Sequence, residues 1–367
     1  MRIMYVAYSG LPSTTAQSIN VARACSALAE LGHEVSLLVP SAHPMRLRER
    51  TDLFRFYNLP ENFSIQYVTA PKGRLGRTIF TWKTALEARR WRPDLVMSRY
   101  LKSGLLCARL GFPVIYELHA PIKGKGRVIS KLARTGQLRS LVTHTNEILR
   151  EVRGHHLPGL ADERVYAIPN GRNPLAGMVA AKTLPKATDG LNIGYVGKLQ
   201  AQKGLDLIRA LAPLLPGHDI HIVGGDEAQI AHWRPQMDLP NVHFHGYVPQ
   251  AEVDAYIAAL DVCLLPNEPH PENPAGVLYS SPMKVLDYMA HGKAILASDL
   301  AEIREMLDND EAVLLPQGDA PAWAEAIERL DRARLDALGE AARKRLAREH
   351  FAMLGRSFLE RGIQWWG

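Results

Sequence analysis

Three lysines and one carboxylate are the residues here whose type and placement suggest chemistry. Gly197-Lys198-Leu199-Gln200-Ala201-Gln202-Lys203-Gly204 leaves the apolar run Leu191–Val196 and enters a stretch with helical spacing. Lys198 and Lys203 would then flank a helix N-terminus, where amides and ammonium groups together neutralise a diphosphate. The alternative is a pair of solvated loop lysines. In Ser281–Asp299, Lys284 and Asp287 lie three apart on one face of a helix that stops at Gly292. A carboxylate in its first turns can accept two hydrogen bonds from a ribose diol, or can simply pair with the lysine at the surface. The loop Ser9-Gly10-Leu11-Pro12-Ser13-Thr14-Thr15 opens the first helix, so Gly10, Ser13 and Thr14 could receive an anion, or their hydroxyls could be plain caps.

Other chemistries are excluded by what the chain lacks. There is no G-x-G-x-x-G, and Gly224-Gly225-Asp226 is too short to replace it, so no nicotinamide or flavin fingerprint is present. The 14 histidines include no H-E-x-x-H and no Cys–His metal spacing. Asp308-Asn309-Asp310 mimics a D-x-D metal motif but lies in a polar turn, where such residues are favoured anyway. No nucleophile elbow appears. What is left is fixed positive charge that could neutralise an anion such as a diphosphate.

The elements that would position these groups form two α/β series. The first runs Ile3–Ala7, a helix Thr15–Leu31 ended by Gly32, Glu34–Val39, Asp94–Ser98, a helix through Leu110, Pro113–Leu118, Leu141–Thr145 and Val165–Ile168. Residues 172–190 have two prolines, two glycines and little strand pattern, and read as a linker. The second series runs Leu191–Val196, a helix Leu205–Leu215, Asp219–Val223, Val242–His245, a helix Glu252–Leu260, Val262–Leu265, a helix Met283–His291, Ala294–Ala297, Ala312–Leu314 and a long charged helix over 320–349. This order predicts two doubly wound parallel domains, about 1–175 and 190–351, facing across a cleft, with ligands at the carboxyl ends of the strands. A tail over about 352–367 is expected to pack back on the first domain.

The chain has 367 residues, 47% hydrophobic and 22% charged, which suits two globular domains and excludes wholesale disorder. No apolar run is long enough to cross a bilayer. The start, MRIMYVAYSG, reads as a buried strand and not as a signal peptide. Cys25, Cys107 and Cys263 stand far apart in apolar segments, which argues against a disulfide framework and suits a cytoplasmic setting. The net charge of +6 is divided: +16 over residues 1–186 and −10 over 187–367. The basic half should meet something anionic. Within it, Lys72–Arg92 interleaves basic residues with Phe80, Trp82 and Trp91. That pattern suits a membrane interface or a lipid-phosphate acceptor, or a helix with its aromatics in the core, and suits nucleic acid less well.

Taken together, GYVGKLQAQKG, IVGG, HFHGYV, YIAALDVCLLP and SPMKVLDYMAHGKAILASD resemble the donor domain of the family 4 retaining glycosyltransferases of GT-B fold. ALAELGHEVSLLVP, YELHAP and IPNGR agree with their first domain. The resemblance spans most of the chain. It implies α/β GT-B architecture and a nucleotide-sugar donor, with no metal or other cofactor. It implies transfer with retention to a glycan, lipid-linked or other anionic acceptor, forming an α-linkage. In this scheme the acceptor attacks from the face the diphosphate leaves, and the departing phosphate takes its proton. The implied catalytic residues are His119 at the donor sugar and Lys198 and Lys203 on the diphosphate. The implied donor-binding residues are Gly10, Ser13, Thr14, Gly197, Gly224, Tyr247, Val248, Tyr279, Ser280, Ser281, Lys284 and Asp287. Three departures stand out. The early loop lacks the family's glycine pair, Asp287 replaces a glutamate on the ribose, and Tyr279 occupies the place of the paired glutamate. Backbone amides of Tyr279, Ser280 and Ser281 would then hold the sugar hydroxyls. The expected partners are a nucleotide-sugar, an acceptor glycan or lipid, and an anionic inner membrane surface, with no nucleic acid. The rivals are a nucleotide-sugar epimerase or hydrolase on the same fold, and a non-catalytic membrane- or nucleic-acid-binding protein.

Overall fold

The computed structural model describes residues 1–44, 46–47, 52–172, 175, 177–200, 203–268 and 283–350, with backbone only at 349–350. The chain divides into two compact units, the first covering Met1–Gly171 and the second beginning at Arg172.

In the first unit, seven parallel strands form one sheet in the order β3-β2-β1-β4-β5-β6-β7. They are β1 Arg2–Val6, β2 Glu34–Pro40, β3 Ser64–Val68, β4 Leu95–Ser98, β5 Val114–Leu118, β6 Leu138–Thr143 and β7 Val165–Ala167. The helices between them are α1 Ala16–Glu30, α2 Leu53–Tyr57, α3 Gly73–Trp91, α4 Leu101–Arg109, α5 Gly126–Ala133 and α6 Asn146–Arg153. β1, β4 and β5 are fully buried along almost their whole length, as strands covered by helices on both faces must be. The sequence reading omits β3, whose residues at the sheet edge are all exposed or half-exposed and form no apolar run. It also starts β6 three residues late. Thr145, read as its end, instead caps α6 by accepting from Ile148 N.

The second unit has a six-stranded parallel sheet in the order β10-β9-β8-β11-β12-β13. The strands are β8 Asn192–Val196, β9 Asp219–Val223, β10 Val242–Gly246, β11 Val262–Leu265, β12 Ala294–Ser298 and β13 Ala312–Leu315. The helices are α7 Leu205–Leu211, α8 Glu227–Trp233, α9 Gln250–Ala258, α10 Met283–Ala290, α11 Ala301–Arg304, α12 Ala320–Glu328 and α13 Arg332–Arg345. The charged stretch read as one helix over 320–349 is two, because Asp331 caps a new start by accepting from Arg334 N. Residues 177–190 are tied to this unit. Lys182 N donates to Ala255 O at 2.9 Å, and buried Asp219 accepts from Ala187 N, Thr188 N and Thr188 Oγ1. The proposed tail at 352–367 lies outside the described residues. The three cysteines are buried thiols.

Candidate functional site

Chemistry-bearing side chains gather at the carboxyl ends of the central strands in each unit. In the second unit, Gly197 follows β8 and Gly224 follows β9, and the two turns are in direct contact. A Cβ on Gly224 would stand 2.2 Å from Gly197 O, and Gly224 adopts φ +115°. Only glycine allows this approach, and it leaves backbone at the surface where a ligand can meet it. Gly197 N donates to Val223 O at 2.8 Å and Gly224 N to Gly246 O at 2.8 Å, so three strand ends are stitched together.

Lys198 is exposed in the loop after β8, and its carbonyl accepts from Tyr195 Oη at 2.7 Å. Lys203 is half-buried just before α7. The chain enters that helix through Gly204, at φ +77°, where a Cβ would stand 1.6 Å from Pro266 O. Burial and Lys198 lower the Lys203 ammonium, and Glu302 of α11 opposes them. Lys284, at the start of α10, places its Nζ 3.8 Å from the centre of the Tyr195 ring and beside Gly197. Lys203 and Lys284 are close enough for their charges to repel. Gly197, Gly224, Lys203 and Lys284 therefore converge at one strand end. Tyr247, just after β10, is 56% exposed, while half-buried Val248 packs against the core. Tyr279, Ser280 and Ser281 lie outside the described residues.

Lys284 and Asp287 do not pair. Asp287 is ion-paired to buried Arg172, which also binds Asp254 at 2.7 Å, and Asp254 accepts from His291 Nε2 at 3.0 Å. The Asp254 carboxyl is held far below the usual range: burial opposes its charge, but the His291 hydrogen bond and the Arg172 guanidinium outweigh it. Arg172 thus fixes the Asp287 carboxylate in place. Sequence reading passes over Arg172 because it falls among linker residues, and over Asp254 because it sits inside a helix. Asp287→Ala should weaken nucleotide-sugar binding while Asp287→Glu retains it. Titration calorimetry checks this, and equal affinity in Asp287→Ala would remove the residue from the site.

In the first unit, His119 follows β5 and meets a buried ion pair. Arg99 Nε donates to Glu117 Oε2 at 2.9 Å, and each side chain is only 4% exposed. His119 Nε2 lies 3.0 Å from the same oxygen, and Arg99 Nη2 lies within 3.2 Å of both ring nitrogens. The ring also stacks on His144 at 4.6 Å. Burial, reinforced by the Arg99 charge, pushes His119 down to about 3, so it is a neutral imidazole at physiological pH. Burial opposes the Glu117 charge, yet Arg99 and His119 bring it down to about 2. A hollow lined by Asn20, Arg99, Glu117, His119 and Asn170 opens beside the ring. Asn20 of α1 hydrogen-bonds Asn170, which ties the Pro169-Asn170-Gly171 turn to α1. Glu117 and Arg99 are missed by sequence reading, although Glu117, two residues before His119 on a strand, shares its side of the sheet.

The first loop departs from expectation. Gly10 and Ser13 are buried, and only Thr14 is exposed. Ser18 Oγ donates to Gly10 O and gathers the hydroxyls of Ser9, Ser13 and Thr15, while Ser13 N donates to Tyr57 Oη at 2.8 Å. Gly10 and Ser13 are therefore taken up in contacts with Ser18 of α1, whose N-cap is Thr15, and of the three loop candidates only Thr14 is open to solvent.

Comparison with known proteins fits both halves. The profile described as "Glycosyltransferase Family 4" matches residues 18–174, and "Glycosyl transferases group 1" matches residues 190–332. Between them they cover most of the chain. The chain belongs to the family 4-type GT-B glycosyltransferases. Among curated members, AmsK of Erwinia amylovora, an amylovoran biosynthesis glycosyltransferase, is 30% identical over 40% of this chain and 37% of its own. TuaH of Bacillus subtilis (strain 168), assigned to teichuronic acid biosynthesis as a glycosyltransferase, is 22% identical over 53% of this chain and 55% of its own. The chain thus spans about half or less of the curated relatives it matches. Two solved GT-B structures share the fold over nearly their full lengths. Sucrose-phosphate synthase from Thermosynechococcus elongatus has TM-score 0.70 at 17% identity, covering 100% of this chain and 99% of that one. Anabaena HepE in complex with UDP and glucose has TM-score 0.68 at 15% identity, covering 98% of each.

Proposed function

We propose that this glycosyltransferase moves a sugar, with retention and in α-linkage, from a nucleotide-sugar to a glycan, lipid-linked or other anionic acceptor. The observation that carries the reading is the convergence of Lys203 and Lys284 on the glycine-lined end of β8. Cations preorganised around a departing diphosphate stabilise the charge that develops as the glycosidic bond breaks. Lys198 completes the set from its exposed loop, and Tyr247 offers a face to a nucleobase. The UDP in the HepE complex supports a nucleotide-sugar as donor. Neutral His119 would donate or accept a hydrogen bond at the sugar without adding charge. The departing phosphate takes the acceptor proton. A panel of nucleotide-sugars tested for thermal stabilisation identifies the donor, since a ligand at 100 times its Kd adds about 2.7 kcal/mol to folding. Failure of every member to raise Tm would reject the reading.

The leaving group is served by fixed ammonium groups, so turnover should survive saturating EDTA. Complete loss, restored by magnesium or manganese, would contradict this assignment.

The acceptor side should work at an anionic membrane surface on the inner face of the cell. No described helix is long and apolar enough to cross a bilayer. α3 instead turns Leu75, Trp82 and Leu86 outward at 66%, 60% and 61% exposure, while Phe80 is buried. These three lie at spacings of seven and four, so they form one stripe, with exposed Arg74, Lys83, Arg89 and Arg90 on the same helix. Each basic residue near an anionic surface contributes about 1 kcal/mol, and the apolar stripe adds to that. Co-sedimentation with anionic vesicles should be strong at 0.1 M salt and lost near 1 M, as the Debye length falls from about 10 Å to about 3 Å. No binding at low salt would refute the membrane placement, and equal binding to neutral vesicles would assign it to apolar contact alone.

A further inference from the structure

The Lys284 ammonium occupies a place that ordinarily demands a counter-charge, and none is there among the described residues. Its Nζ is sealed from solvent and has no hydrogen-bond partner among the described residues. The room it occupies exists because residue 197 is glycine: a Cβ there would stand 2.9 Å from Nζ. The Tyr195 ring beneath it, at 3.8 Å, offers only its π-face. Neither nearby phenol serves it, since Tyr195 Oη donates to Lys198 O and Tyr288 Oη accepts from Val196 N.

The charged groups around it offer no compensation. Lys203, from the loop before α7, adds like charge, and Lys198 adds more beyond it. On the same helix, Asp287 is committed to Arg172. Glu302 of α11 is set against Lys203. A buried cation without an acceptor is among the least tolerable groups in a fold, and the usual relief is loss of the proton. Burial first, and Lys203 second, hold this ammonium well below its ordinary range.

We infer that Lys284 is a proton-coupled phosphate receptor: it stands as a neutral amine in the empty site and takes up one proton when a diphosphate settles against Gly197, becoming the third cation of the site. The inference rests on the donor placement proposed above. The step is simple to balance. The amine lone pair accepts one proton from solvent, no other bond changes, and the site gains one positive charge as the anion arrives. Binding and protonation then strengthen each other reciprocally. When the nucleotide departs, the proton leaves with it, and the site does not retain this third cation to hold product.

Titration calorimetry of UDP and of inorganic pyrophosphate into the full chain tests this, using buffers of different ionisation enthalpy at about pH 8, some two units above the second phosphate ionisation. Wild type should take up close to one proton per UDP bound. Its Kd should rise up to about tenfold per pH unit towards alkaline pH. Lys284→Met preserves the stem and should abolish the uptake, flatten the pH dependence and weaken UDP about 10- to 100-fold at neutral pH. Lys284→Gln, with Tm recorded for both variants, provides a second polar but uncharged replacement. UDP binding without proton uptake, or uptake unchanged in both variants, overturns the inference and leaves the donor site standing. Failure of wild type to bind either UDP or pyrophosphate overturns both.

Discussion

Replacing Lys203 with alanine should lower kcat/KM about 10²- to 10³-fold, the usual effect of removing one preorganised charge contact to a developing anion, equivalent to about 2–4 kcal/mol. Its position decides the size of the effect. Lys203 is half-buried beside the Gly204 turn, so water screens its charge less than that of exposed Lys198. Lys198 is exposed, and its replacement should cost less at high salt than at low salt because solvent screens it. Folding should change little in either variant. Among the described residues Lys203 forms no salt bridge, and its alanine variant removes a like charge beside Lys284. The check is kcat/KM beside Tm. Near-normal turnover in both single variants would move the diphosphate elsewhere.

The second large effect concerns stability. Arg99 and Glu117 form an ion pair inside the first unit, and removing one partner leaves the other as a buried, uncompensated charge. Such a break costs about 3–5 kcal/mol. For a unit of this size that is roughly 10 °C in Tm. Arg99→Met and Glu117→Gln should each show it, and the double variant should recover part of the loss, which a double-mutant cycle measures. Changes of less than about 2 °C in both single variants would show that the pair is not what holds the His119 side of the sheet.

The same cluster sets an acid limit. His119 is depressed to about 3 from an ordinary 6.5, so the unfolded chain binds its proton first, and stability falls as pH drops from 6.5 towards 3. Glu117 is depressed to about 2 from 4.5, so its contribution is present above 4.5 and is lost as pH falls towards 2. Both act in the same direction. Unfolding of the first unit should become easier throughout pH 6.5 to 3, and the His119→Asn variant should lose the upper part of that dependence.

The parallel architecture is legible in the sequence because its central strands are continuous apolar runs. Ile193–Val196 and Val262–Leu265 could not lie at a solvated edge. Edge strand β3 escapes because its residues are half-exposed, and the break between α12 and α13 escapes because Asp331 looks like one more charge in a charged stretch. The site is legible where loop placement alone decides, as for Lys203 and Gly197. It is not legible where long-range partners decide. Arg99 meets Glu117 across neighbouring strands, and Arg172 meets Asp254 and Asp287 over 82 and 115 residues of chain. The buried Ser13 residue belongs to the same class: only the fold shows that Ser18 and Thr15 already hold its hydroxyl and Tyr57 its backbone.

The central claim is that sugar passes from a nucleotide-sugar at the lysine-lined end of β8. Its most direct test is transfer of labelled sugar from a panel of nucleotide-sugars into lipid and oligosaccharide extracts, run with wild type and Lys203→Ala, with free nucleotide and free sugar counted alongside. The account predicts that wild type transfers sugar from one donor into extract in an α-linkage, with one nucleotide released per sugar transferred, and that Lys203→Ala loses about 10²-fold or more. Release of free sugar without transfer, or equal transfer by both proteins, would contradict it.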